Sequence, residues 1–184
     1  NVRVPIKDAL IGKENEGWTY AKYLLEFERG NAYAPGLRHM LRKTRKVASK
    51  EIDGNEPVIR NPDFARKLAL MEMQIDALDM TERRVLSALS AGQNVGPESS
   101  MLKCRGSEAQ QAITELTLAA AGLYSQPFVQ DTVALAGAGA NDSSPTPTHA
   151  LTAAPSYFNY RKTSIYAGSN EIQHNIIAKA VLGF

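Results

Sequence analysis

The residue whose setting most invites chemistry is Glu28, in the run Leu24-Leu25-Glu26-Phe27-Glu28-Arg29. On a helix it shares a face with Leu24 and Leu25, four and three positions earlier. A carboxylate held in an apolar cleft has its pKa raised by desolvation towards the working pH and can then accept a proton as a general base. The competing reading is structural: a half-buried glutamate paired with Arg29 or with a neighbouring helix. From the residues alone both readings stay open.

A second candidate is the turn Ala167-Gly168-Ser169, which separates two helical stretches. Ser169 is placed to cap the helix that follows, and Glu171 falls in its first turn, where the helix dipole favours an acid. Free backbone N–H groups at such a start suit a polar or anionic ligand, although most Gly-Ser turns before helices are only turns. Glu171 and His174 also stand at the Glu-x-x-His spacing of di-iron bundles, but that chemistry needs a second copy and two further acids. Neither His39 nor His149 has a glutamate three residues before it, so no metal site is expected. Cys104 is the only cysteine, which excludes a disulfide framework or a thiolate cluster and reads as a small, partly buried side chain.

Helices must position these groups. The first is expected from about Glu16, carrying Trp18, Ala21, Leu24, Leu25 and Glu28, with a kink near Asn31 to Pro35 and a continuation through Leu37 and Leu41 to about Ala48. Lys50 to Asn61 reads as loop. Asn61 then caps a helix that opens on Pro62 and runs to about Ala91. Its seam is Phe64, Leu68, Met71, Ile75, Leu78, Val85 and Leu89, with Glu82 as the one polar entry, a pattern for antiparallel bundle packing. A further helix spans about Glu98 to Ala121 on Met101, Leu102, Ala109, Ile113, Leu116 and Ala120, capped by Gly122. Residues 123–150 read as a long flexible loop, followed by a short helix from about Pro155 to Ala167 and a final helix ended by Gly183. Val2, Val4 and Ile6 alternate around Pro5, which suits only an edge strand. The fold class is therefore all-α, an antiparallel four-helix-type bundle with a short extended N-terminal segment.

Composition narrows the partners. Lys+Arg 21 against Asp+Glu 19 gives no reason to expect nucleic acid or a membrane surface. The basic run Arg38…Arg42-Lys43-Thr44-Arg45-Lys46 reads as a solvated face. No stretch reaches the roughly 18 consecutive apolar residues of a membrane helix. No signal peptide is visible, and the cytoplasm is the expected compartment.

Several blocks resemble one family. Ile165-Tyr166-Ala167-Gly168-Ser169-Asn170-Glu171-Ile172-Gln173, followed by Asn175-Ile176-Ile177-Ala178 and Val181-Leu182-Gly183, is similar to the C-terminal signature of the acyl-CoA dehydrogenases. Ser100 to Gln111, Leu25 to Arg29, and the opening Val2 to Trp18 fit the same family. The resemblance covers nearly the whole chain but only about the C-terminal half of a member. It implies residues 1–15 as an extended tail from a missing β-domain and residues 16–184 as the C-terminal helical bundle.

It also implies the chemistry. Members use FAD to oxidise an acyl-CoA to the 2,3-enoyl-CoA and hand electrons to an electron-transfer flavoprotein. Most carry the catalytic base as the glutamate of a Tyr-Glu-Gly-Thr turn, which here reads Tyr166-Ala167-Gly168-Ser169. Ala167 cannot accept a proton. A minority place the base at the glutamate of a Leu-x-x-Glu-Arg pattern, which here is Glu28 before Arg29. The resemblance thus assigns Glu28 as base, Arg29, Tyr166 and Ala167 to the substrate, and Gly168, Ser169 and Glu171 to FAD. Two family features are faint. The Arg…Phe-Gly motif that holds the adenosine diphosphate part of FAD across a dimer interface is not legible around Ala48 to Arg60. The Gln-x-x-Gly-Gly motif survives only as a remnant near Ala121 to Tyr124. The expected partners are acyl-CoA, the electron-transfer flavoprotein and further subunits in a homo- or hetero-oligomer. A chain lacking the β-domain is expected to be inactive and mostly flavin-free. The alternative is a non-catalytic interaction subunit.

Overall fold

The computed structural model describes residues 1–28, 32–93, 96–128 and 146–183. Two short helices, α1 (Ile6–Ala9) and α2 (Gly17–Glu28), precede three long ones, α3 (Ala34–Lys50), α4 (Pro62–Ser90) and α5 (Glu98–Ala121). Two smaller helices, α6 (Ala153–Tyr160) and α7 (Asn170–Ile177), pack against α5. The only sheet among the described residues pairs Ile52–Asp53 with Glu56–Pro57, antiparallel, around the left-handed Gly54. The class is all-α, as the periodicity requires.

Local chemistry starts the helices. Asn61 Oδ1 accepts the N–H groups of Asp63 at 3.0 Å and Phe64 at 3.3 Å, and Pro62 occupies the first turn, where no N–H is needed. The buried face of α4 is Phe64, Leu68, Met71, Ile75, Leu78, Glu82 and Val85, the expected steps of four and three. From α3 come Leu37, Leu41, Thr44, Val47 and Ala48, and from α5 Leu102, Ala109, Ile113 and Ala120. Truncating a fully buried member such as Ile75 or Ile113 to alanine should cost about 2–5 kcal/mol. Gly106 lets α5 approach the start of α3 closely: a Cβ there would lie 2.4 Å from the Tyr33 ring.

The structure departs from the sequence reading in four places. The strand expected over Val2 to Ile6 is absent: residues 1–5 have no regular structure, and Ile6–Ala9 is a helical turn. A strand without a neighbour has no ladder to join. Pro35 does not kink one long helix but sits in the first turn of a separate one, α3, where proline is tolerated. Lys50 to Asn61 contains the small hairpin and a 3-10 turn, Val58–Arg60. The helix after Pro155 starts earlier, at Ala153, and gives way to a 3-10 turn at Arg161–Ser164.

Among the described residues, α3, α4 and α5 pack together with α6 and α7 on α5, while α2 makes no comparable contact. Trp18 is 70% and Leu24 58% exposed, and only Ala21 and Leu25 of the expected stripe are half-buried. The apolar side of α2 is thus uncovered among the described residues. Met101 likewise faces outward at 40% exposure, beside Leu102, which takes the core position.

Candidate functional site

The 3-10 turn at Arg161–Ser164 leads into a sharp corner before α7. Ala167 has φ +56° and Gly168 φ +81°, two consecutive left-handed residues. Glycine adopts this backbone without strain, whereas alanine does so at a cost of about 1–2 kcal/mol. Such strain persists only where the surroundings over-determine it, and they do here.

The corner is held from two sides. Lys103 on α5 donates from Nζ to Asn170 Oδ1 at 2.7 Å, and Ser107 Oγ donates to the same oxygen at 3.2 Å. Cys104 Sγ reaches the Asn170 carbonyl at 3.7 Å. One turn into α7, Gln173 Nε2 turns back to the carbonyls of Ala167 and Gly168, each at 3.4 Å. A Cβ on Gly168 would come within 2.4 Å of that nitrogen, so a side chain there would push the Gln173 amide aside as well as strain the backbone. Gln173 Oε1 and Ser100 Oγ are buried with no hydrogen-bond partner among the described residues.

Charge at the corner is unusual. Lys103 is only 3% exposed, and burial pushes its ammonium below the usual lysine range. Burial also raises the Cys104 thiol, so this cysteine is protonated and unreactive at neutral pH. Ser169 occupies the N-cap position of α7, but its hydroxyl makes no cap bond to the backbone. The Glu171 carboxyl is held below the usual carboxylate range by its own backbone N–H and then by the Ser169 hydroxyl. The two residues therefore partner each other, and Glu171 is exposed beside the corner.

Of the candidate residues, Tyr166, Ala167, Gly168, Ser169 and Glu171 are brought together in this corner. Tyr166 is 51% exposed. Glu28 ends α2; its side chain and the whole of Arg29 lie outside the described residues. Five positions beyond Glu28, Tyr33 stands at the N-cap of α3. Burial raises the Tyr33 phenol, and Tyr166 and then Cys104 lie close enough to raise it further. The start of α3 and the Tyr166 corner are therefore neighbours across α5.

Two regions distant in sequence meet elsewhere. The hairpin at Ile52–Pro57 and the end of α5 enclose a cavity of about 700 Å³. Its walls include Glu51, Asp53, Asp63 and Lys67, with Gly122 and Tyr124 opposite. Beside it, Glu51 Oε1 meets His149 Nε2 at 2.5 Å.

The sequence reading assigned nothing to Lys103 or Gln173. The signal was present: Ser100, Lys103, Cys104 and Ser107 fall at i, i+3, i+4 and i+7, a polar face in the middle of a packed helix.

With this geometry established, comparison with known proteins is informative. Residues 15–182 match the family model of the acyl-CoA dehydrogenase C-terminal domain, and the chain belongs to that family. Its fold is similar to that of butyryl-CoA dehydrogenase from Megasphaera elsdenii, with 21% identity, TM-score 0.69, and coverage of 93% of this chain and 40% of that one. An acyl-CoA dehydrogenase from Geobacillus kaustophilus gives 22% identity, TM-score 0.69, and coverage of 92% and 40%. A solved structure of the electron transferring flavoprotein of Acidaminococcus fermentans contains a chain with 20% identity, TM-score 0.72, and coverage of 96% and 42%. Among curated proteins, none matches. The chain spans about two fifths of the length of these solved structures.

The residues fit FAD at one end only. At the corner, left-handed Gly168 allows a close approach of backbone to ligand, and Gln173 Oε1 is a buried acceptor without a donor among the described residues. At the cavity beside the hairpin, three carboxylates face one lysine, which does not suit a pyrophosphate.

Proposed function

We propose that this chain is the C-terminal helical part of an FAD-dependent acyl-CoA dehydrogenase that converts an acyl-CoA into the 2,3-enoyl-CoA. The observation that carries the reading is the over-determined corner from Tyr166 to Ser169, which lies across α5 from the start of α3. Glu28, a few residues upstream of that start, takes the α-proton of the thioester. Arg29, Tyr166 and Ala167 lie on the substrate side, and the small Ala167 leaves room for the acyl chain. Gly168, Ser169 and Glu171 stand towards the cofactor. When bound, the flavin supplies the acceptor for the hydride lost from the β-carbon.

The resemblance leaves two alternatives for the base. The position that most members give to a glutamate is Ala167 here, so proton removal falls to Glu28 or leaves this subunit altogether. Chiefly over residues 157–183, the chain also resembles the large subunit of pimeloyl-CoA dehydrogenase, which suggests a dicarboxylic or branched acyl group. The electron acceptor is an electron-transfer flavoprotein, and the helical domain joins further subunits. The helical part taken by itself is inactive and mostly flavin-free.

The decisive experiment is Glu28→Gln in the full-length parent. Lost turnover with retained yellow colour supports Glu28 as the base, whereas unchanged turnover assigns the proton elsewhere. The second reading, a non-catalytic interaction subunit, is favoured by Ala167 alone. It gains if the full-length parent binds flavin yet turns over only when mixed with a different subunit.

A further inference from the structure

We propose that Lys103 is a positioning residue that sets the Ala167–Ser169 corner by acting through Asn170. Lysine is almost never fully buried unless it is paired, yet Lys103 is 3% exposed and forms no ion pair among the described residues. It also stands at the N-terminal end of α7, where the helix dipole disfavours a cation. A methionine would fill similar space with no charge to desolvate. What lysine adds is direction: a donor aimed at one atom, Asn170 Oδ1, 2.7 Å away.

That atom is well chosen for control. Asn170 is the first residue of α7, directly after Ser169. Ser107 Oγ shares its one proton between the Cys104 carbonyl at 2.9 Å and the same oxygen at 3.2 Å, so the ammonium, which can only donate, fixes which end of the Asn170 amide faces α5. With the first residue of α7 pinned, the helix starts at a fixed place. Gln173 then reaches back one turn later to the carbonyls of Ala167 and Gly168. Ala167 is held at φ +56°, a conformation it leaves once the restraint is removed. The sequence of contacts therefore runs from Lys103 to Asn170, to the start of α7, to Gln173, and finally to the corner.

The functional meaning of this role rests on the reading of the corner as cofactor-facing, but the test below reads the corner's conformation alone. It uses the isotope-labelled chain and compares wild type with K103M, N170A, N170D and the K103M/N170D pair. In K103M the positive-φ coupling signature of Ala167 should disappear. Exchange of the Gln173 amide, which donates to Ser169 O at 3.0 Å, should become about ten- to a hundredfold faster, the size of one charged hydrogen bond. Methyl resonances of Leu37, Ile75 and Ile113 should stay in place, because a local positioning role leaves the core untouched. N170A should reproduce the effect, while N170D, which keeps an acceptor for the ammonium, should preserve the corner in the wild-type background and lose it with K103M. The proposal is overturned if Ala167 keeps its signature in K103M, if the core resonances shift along with it, or if N170A has no effect. Should K103M fail to fold, N170A, at a half-buried position, decides the matter. A corner that moves while flavin retention by the full-length parent is unchanged leaves the Lys103 role standing and removes the cofactor reading of the turn.

Discussion

The carboxylate of Glu82, carried by α4, caps the start of α3: Oε1 accepts the Tyr33 N–H at 2.5 Å and the Ala34 N–H at 3.1 Å, and Oε2 accepts the latter at 3.3 Å. Tyr33 makes no side-chain cap of its own, so the helix borrows its N-terminal acceptor from a neighbour. The one polar residue in the α4 seam is therefore a bond between helices, with the carboxylate at the favourable end of the α3 dipole. We expect Glu82→Ala to destabilise the chain by about 2–4 kcal/mol in urea unfolding, since it removes a charged acceptor and leaves two donors unsatisfied. Glu82→Gln, which keeps one acceptor oxygen, should lose less. Equal losses for the two variants would show that volume, not capping, explains the residue.

At the corner, neighbouring residues should respond in opposite ways to small changes. Gly168→Ala places a Cβ against Gln173 Nε2 at φ +81° and should destabilise by about 1–3 kcal/mol. Ala167→Gly relieves a left-handed alanine while adding freedom to the unfolded chain, so its net effect should stay within about 1 kcal/mol of zero. Thermal melts of the two variants side by side measure this asymmetry.

Acid should weaken the α3–α4 contact. Arg83 first, and then Arg38, hold the Asp79 carboxyl below its ordinary value. A carboxyl with a depressed folded-state pKa contributes stability that is complete above the unfolded value and is lost as pH falls through the folded one. Stability should thus decline with pH below the ordinary aspartate range, and Asp79→Asn should flatten that decline. Urea midpoints across the acid range test it, and parallel profiles for the two proteins would refute it.

The single tryptophan reports on α2. Trp18 is 70% exposed, so its emission should be red-shifted and readily quenched by iodide in dilute solution. A blue shift that grows with protein concentration would show that the apolar side of α2 becomes covered by self-association. A blue-shifted, unquenched signal at every concentration would contradict the uncovered α2 described above.

How much of this was legible in the sequence differs by element. For α4 and α5, apolar spacing and end signals agreed, and Asn61-Pro62 and Gly122 marked boundaries that the structure keeps. The first helix was misjudged because periodicity reveals an apolar side without revealing what covers it. Trp18 and Leu24 have the right spacing, and nothing among the described residues packs on them. The corner was found through its Gly-Ser turn and its family resemblance. Its supports were not, since Lys103 and Asn170 stand 67 positions apart and only the folded chain shows them to be neighbours. Glu82 had been noticed as polar, but its partners, 48 and 49 positions away, were equally invisible.

The make-up of the corner also bears on the order of folding. Thr44 and Thr117 meet across 73 positions inside the bundle, so the 67 between Lys103 and Asn170 are not exceptional; what differs is that α3, α4 and α5 carry most of the buried apolar side chains that drive collapse, and the corner carries few. The turn at Ala167 should therefore be the last part to consolidate during refolding. Refolding followed at the core methyl groups and at Ala167 should show the core reaching its native signals first.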